Sequence, residues 1–148
     1  MVSFCILVLG CIVISIVDAR TCRIPDGLLA VFFCALTAAG IGETPAALWD
    51  RLLPARLPPA LICFTVLYLP CRFCGGLGFG DVKYAALLGY ALGPERYCVF
   101  LAAAALSGLL IYITGTFFLN WDRETKLPFA PFLSFGALAA AALGIPGP

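Results

Sequence analysis

The sequence predicts an all-α fold, a polytopic membrane helix bundle with about six transmembrane helices, and three observations predict it. Of 148 residues, 63% are apolar and only 11% are charged, whereas a soluble domain carries about 25% charged residues. Mean hydropathy is +1.07. The charges gather in short breaks between long apolar runs, the pattern of helices that cross a bilayer and are joined outside it. A single integral-membrane domain over residues 1–148 uses the whole length.

Six apolar segments are expected, at 2–17, 28–41, 60–69, 82–92, 97–119 and 129–145. The first lacks a basic start and an A-x-A cleavage site, so it reads as a retained helix rather than a removable signal. The second opens just after Pro25-Asp26, which makes Asp26 a helix-start residue. The third and fourth are short, and short helices are tolerated where neighbours bury their ends or the bilayer thins. The fifth and sixth are rich in small residues (102–105 and 137–142) that suit close helix packing in lipid. No internal repeat is evident.

Basic residues fix the expected orientation. The first, third and fifth connections hold Arg20, Arg23, Arg72, Lys83, Arg123 and Lys126, whereas the second and fourth hold Arg51, Arg56 and Arg96. Positive charge is retained on the cytoplasmic side, so the odd connections are expected there, together with Asp18, Asp26 and Asp81. Glu43, Asp50 and Glu95 then fall on the opposite face.

Composition also removes whole classes of chemistry. A net charge of +1 without a basic stripe offers nothing to neutralise phosphates, so no nucleic acid partner is expected. The absence of histidine excludes Ser-His and Cys-His nucleophile pairs and histidine zinc sites. Five of the eight cysteines (Cys5, Cys11, Cys34, Cys63 and Cys98) lie in or beside apolar runs, where cysteine behaves as a small hydrophobe. Cys71-Arg-Phe-Cys74 is a lone C-x-x-C, and a structural zinc site needs two further ligands. No cofactor or metal is expected.

Two carboxylates remain as candidates. Asp18 abuts the uninterrupted run Cys11-Ile-Val-Ile-Ser-Ile-Val17, where a charge is costly unless paired or hydrated. Pairing with Arg20 or Arg23 at a helix end is the bland alternative, but an acid at a helix C-terminus opposes the macrodipole. Asp81 follows Gly75-Gly-Leu-Gly-Phe-Gly80; alone it reads as an N-cap aspartate after a permissive loop. The loop lacks G-K-[ST] and no strand precedes it, so it is not a nucleotide site. Placed on the same membrane face, two carboxylates in a partly desolvated site cannot both ionise easily. One then takes a proton from water while the other polarises a carbonyl, which is aspartyl protease chemistry without histidine or metal.

Asp18-Ala-Arg20-Thr-Cys-Arg-Ile24-Pro25-Asp26 resembles the first active-site segment of prepilin peptidases, D-x-R-x-x-x-I-P-[DN]. Gly75-Gly-Leu-Gly-Phe-Gly-Asp81-Val-Lys83 resembles their second, the G-x-G-D stretch. The run from Tyr84 through Gly89 to Pro94, and Lys126-Leu-Pro128-Phe-Ala-Pro131-Phe, follow the same pattern in order. The resemblance implies a G-x-G-D-type aspartyl protease in the plasma (inner) membrane. Asp18 and Asp81 would be its catalytic residues, facing the cytoplasm. Its partners would be prepilin or pseudopilin precursors, whose basic leader is cut after glycine and just before a hydrophobic helix. Larger members carry a cytoplasmic region with paired C-x-x-C motifs linked to N-methylation. No such region precedes Asp18, so cleavage without methylation is expected, and Cys71 and Cys74 inherit no zinc role. Ala130 stands where glycine is frequent in the family, a difference expected to bear on packing.

Lys83 is expected either to tune Asp81 electrostatically or to snorkel to the interface. Asp122 and Glu124 fall in a solvated loop, 120–126, with Trp121 at the interface. Two alternatives to the protease are a proton- or cation-coupled carrier using the acidic pair and an inactive peptidase-like assembly subunit.

Overall fold

The structure is a computed structural model that describes residues 2–43, 46–74, 78–118 and 128–143, without the side chains of residues 43, 46–53, 74 and 118. Outside it fall Gly75, Gly76, Leu77, the loop 120–126 with Trp121, Asp122 and Glu124, the side chains of Glu43 and Asp50, and the Cys74 half of the C-x-x-C.

The described residues form six α-helices: α1 (Val2–Thr21), α2 (Asp26–Glu43), α3 (Ala46–Cys74), α4 (Phe79–Leu92), α5 (Tyr97–Phe118) and α6 (Ala130–Ala142). They correspond in order to the six apolar segments. The largest difference is α3, expected over 60–69 and found to run 29 residues with Pro54, Pro58, Pro59 and Pro70 inside it. A proline in a helix interior removes an N–H and crowds the preceding turn, costing about 3 kcal/mol in water. In lipid the helix is the form that keeps the other backbone groups paired, and neighbours accommodate the prolines.

Helix α4 lies at the centre, packed on α2, α3, α5 and α6, while α1 packs on α2 and α6, and α5 on α6. Its buried residues Asp81, Val82, Tyr84, Ala85, Leu87, Leu88, Gly89 and Tyr90 cover most of its circumference, as expected of a helix enclosed by others. The core joins Leu7, Cys11 and Ile14 of α1 to Tyr84, Ala85 and Leu88 of α4 and Leu133 and Ala137 of α6. The approach of α3 to α4 depends on Gly89. A Cβ there would meet Cys63 Sγ at 2.7 Å and the Pro59 carbonyl oxygen at 2.9 Å.

The outside of the bundle is apolar. Leu9, Val31, Leu61, Leu106, Leu110 and Phe117 are all exposed, an arrangement that would aggregate in water and suits acyl chains. Val2–Thr21, Pro54–Phe73 and Tyr97–Phe117 are long and apolar enough to cross a membrane, and Asp26–Gly42 and Ala130–Ala142 are shorter apolar helices. The molecule is a membrane protein.

Candidate active site

Asp18 owes its position to the buried stripe of α1. Leu7, Cys11, Ile14 and Asp18 recur at intervals of three and four and are the buried residues of that helix, so the carboxylate continues the inward face. It is 3% exposed. Directly after it the chain turns. The Cys22 N–H donates to the Asp18 carbonyl oxygen at 2.7 Å, and Cys22 adopts a left-handed φ of 47°, as a residue closing a helix commonly does. The Thr21 hydroxyl lies 2.8 Å from both the Val17 and the Arg23 carbonyl oxygens, which ties the turn to the helix.

Asp81 enters from α4. It is not the N-cap: Gly78 takes that position with extended backbone, and Asp81 is the third residue of the helix, its N–H bonded to the Gly78 carbonyl at 3.0 Å. The loop expected over residues 75–80 therefore gives way to helix at Phe79. Gly80 lets this end of α4 lie directly on the turn after α1, since a Cβ there would stand 3.1 Å from Ile24 Cβ and 3.3 Å from the Ile24 carbonyl oxygen. Asp81 is 8% exposed, and its Oδ1 is buried without a hydrogen-bond partner among the described residues.

The two carboxylates face one cleft of about 350 Å³, lined by Asp18, Cys22, Arg23, Ile24, Gly78, Phe79, Gly80 and Asp81. Residues 63 positions apart in the chain thus meet at one end of the bundle. A group the sequence did not flag also converges there. The Ala130 N–H donates to Asp18 Oδ2 at 3.0 Å. The first N–H groups of a helix lack intrahelical partners, and Phe129, the N-cap of α6, supplies no side-chain cap. Asp18 caps α6 from another helix, and the positive end of the α6 dipole offsets the unfavourable dipole of α1. Residue 130 thus meets the site through its backbone N–H, a group that alanine and glycine share. Pro131 near the start of α6 marks the helix end in the sequence, but nothing there says which acid the end faces.

Neither arginine pairs with Asp18 among the described contacts, and Lys83 has a partner that the sequence did not indicate. Its ammonium contacts Asp26 Oδ1 at 2.7 Å and Oδ2 at 2.8 Å and lies 5.0 Å from the Phe79 ring centroid. Asp26 starts α2 as expected, and the pair ties that helix end to the first turn of α4. Both side chains are solvent-accessible, and such pairs contribute 0 to about 1 kcal/mol. Lys83→Met and Asp26→Asn are each expected to lower stability by less than about 1 kcal/mol. Thermal unfolding of the double-mutant cycle in detergent checks this, and a larger coupling would mean that the pair is desolvated.

A membrane helix bundle with two buried carboxylates at one cleft is the frame these observations define. The profile of the type IV leader peptidase family matches residues 5–113, a stretch that includes both aspartates. The chain belongs to that family. It is 30% identical over 133 residues to a prepilin leader peptidase/N-methyltransferase of Burkholderia pseudomallei, covering 89% of this chain and 43% of that protein. Proteins of the same name from Pectobacterium carotovorum and Bacillus subtilis are 27% and 28% identical, over 86% and 90% of this chain and 46% and 52% of their own lengths. The chain thus spans about half the length of the curated relatives it matches. No solved structure matches it significantly.

Proposed function

We propose that this chain is a membrane aspartyl endopeptidase that removes the leader peptide of type IV prepilin-like or pseudopilin precursors. Asp18 and Asp81 would be its reacting groups. The observation that carries the reading is their meeting in one cleft, from helices whose flanking residues resemble the two active-site segments of prepilin peptidases and lie within the stretch that the family profile matches. The pair holds one proton between them. Asp18 accepts the Ala130 N–H and Asp81 Oδ1 is buried without a described partner; the acid and base roles belong to the pair rather than to either residue. The charged carboxylate draws a proton from a water as its oxygen bonds to the scissile carbonyl carbon. The protonated carboxyl donates to the carbonyl oxygen. Collapse of the tetrahedral intermediate breaks the C–N bond: the leaving amine takes the proton drawn from water, and a hydroxyl of the intermediate returns its proton to the other carboxylate as the new acid forms. The two groups titrate as a unit.

The distribution of basic residues supports a cleft at the cytoplasmic face of the plasma membrane. A precursor's hydrophobic helix would lie in the bilayer with its basic leader at the carboxylates. The test is co-expression of a tagged prepilin with this chain in cells lacking their own peptidase. The expected result is processing to the mature size, undiminished by EDTA in isolated membranes. Absence of processing across a panel of precursors, beside a working control peptidase, would refute the reading.

A further inference from the structure

Four residues with no part in the cleft are joined to one another inside the bundle: Cys11 and Ser15 of α1, Tyr84 of α4 and Ser134 of α6. The Tyr84 and Ser134 hydroxyl oxygens are 2.8 Å apart. Ser15 donates to Ser134 Oγ at 2.8 Å, Ser134 Oγ reaches the Cys11 carbonyl oxygen at 3.3 Å, and the Tyr84 hydroxyl lies 3.3 Å from Cys11 Sγ. Tyr84 is fully buried and Ser134 nearly so. Each hydroxyl has at least one hydrogen-bond partner within the cluster, so none is stranded.

Its place in the fold is the informative part. Ser15 precedes Asp18 by three residues, Tyr84 follows Asp81 by three, and Ser134 follows Ala130 by four. Residues at those spacings stack on one helix face. Each of these three hydroxyl residues therefore lies one turn deeper than Asp18, Asp81 or the Ala130 N–H, on the same three helices. Apolar helices in lipid associate mainly through packing, without a hydrophobic drive to one register. A hydroxyl node shared by three helices fixes axial position and rotation together, because sliding any one helix strands a buried hydroxyl. Displacing reacting groups by about 1 Å can lower a rate roughly 100-fold.

We infer that Tyr84, Ser134 and Ser15 are positioning residues that hold α1, α4 and α6 in the register at which both carboxylates and the Ala130 N–H converge. This rests on the peptidase reading of the cleft. The test uses the full chain in nanodiscs with a synthetic prepilin peptide, comparing wild type with Tyr84→Phe, Ser134→Ala, Ser15→Ala and the hydroxyl-retaining Ser15→Thr. Per folded molecule, Tyr84→Phe and Ser134→Ala are expected to lower kcat about 10- to 100-fold with KM little changed, and Ser15→Thr to keep most of the activity that Ser15→Ala loses. The carboxyl infrared band of the pair, isolated by difference against Asp81→Asn, is expected to titrate differently in Tyr84→Phe. Wild-type kcat and titration in both Tyr84→Phe and Ser134→Ala would overturn the inference. If the wild type cleaves no peptide, the peptidase reading fails, and the infrared titration still decides this one: moved supports the node's hold on the carboxylates, unmoved overturns it.

Discussion

Asp81→Asn is expected to abolish leader cleavage in membranes that accumulate the chain normally, and Asp18→Asn to do the same. An amide keeps the shape of the side chain but can neither take a proton from water nor donate one as an acid. Loss of a general acid or base alone removes about 10²- to 10⁴-fold in rate. In the proposed mechanism the two groups share one proton inventory, so the double variant should be little worse than either single one. Folding should survive. In Asp18→Asn the side-chain amide oxygen can still accept the Ala130 N–H that Asp18 Oδ2 accepts, and in Asp81→Asn no described partner of Oδ1 is lost. The measurement is the processed fraction of a tagged prepilin, beside the membrane level of each variant. A loss of only a few-fold in either would sink the two-aspartate mechanism.

Gly89→Leu is expected to keep the chain from folding stably. The Cβ at 89 meets Pro59's carbonyl oxygen at 2.9 Å as well as Cys63 Sγ, and a backbone atom cannot swing aside as a side chain can. Helices α3 and α4 would have to separate, opening the packing around the buried face of α4. Overpacking by a methyl group typically costs about 1–3 kcal/mol, so Gly89→Ala should accumulate with a lowered Tm and Gly89→Leu should scarcely accumulate. Thermal unfolding and membrane level after expression read both. Wild-type stability in Gly89→Leu would mean that these helices do not approach as described.

Hydropathy made the number and order of the helices legible, because long apolar runs have few alternatives in lipid. It misjudged α3, whose residues 46–59 carry Asp50, Arg51, Arg56 and three prolines, punctuation that marks loops in water and is absorbed by a helix in a membrane. Asp18 was legible from its place against an apolar run, and the spacing Leu7, Cys11, Ile14, Asp18 gives the physical reason it points inward. Asp81 stands at the start of α4 as the sequence suggests, but three residues past the N-cap, because four glycines in six hide where the helix begins. Ala130 could not be found as a donor, since a backbone N–H leaves no mark in residue identity. The hydroxyl cluster did leave one: Ser15, Tyr84 and Ser134 are polar residues in apolar helices, each one turn from a residue of the site. Only the fold shows that they touch.

The bond between Asp18 and the Ala130 N–H spans 112 residues, which gives the candidate site an order of assembly. Helix α1 leaves the ribosome first of the six and α6 last. Until α6 is made, inserted and docked, Asp18 lacks its donor and Ser15 lacks Ser134. A nascent chain carrying both aspartates in the bilayer is therefore still incomplete at the cleft until α6 has docked on α1.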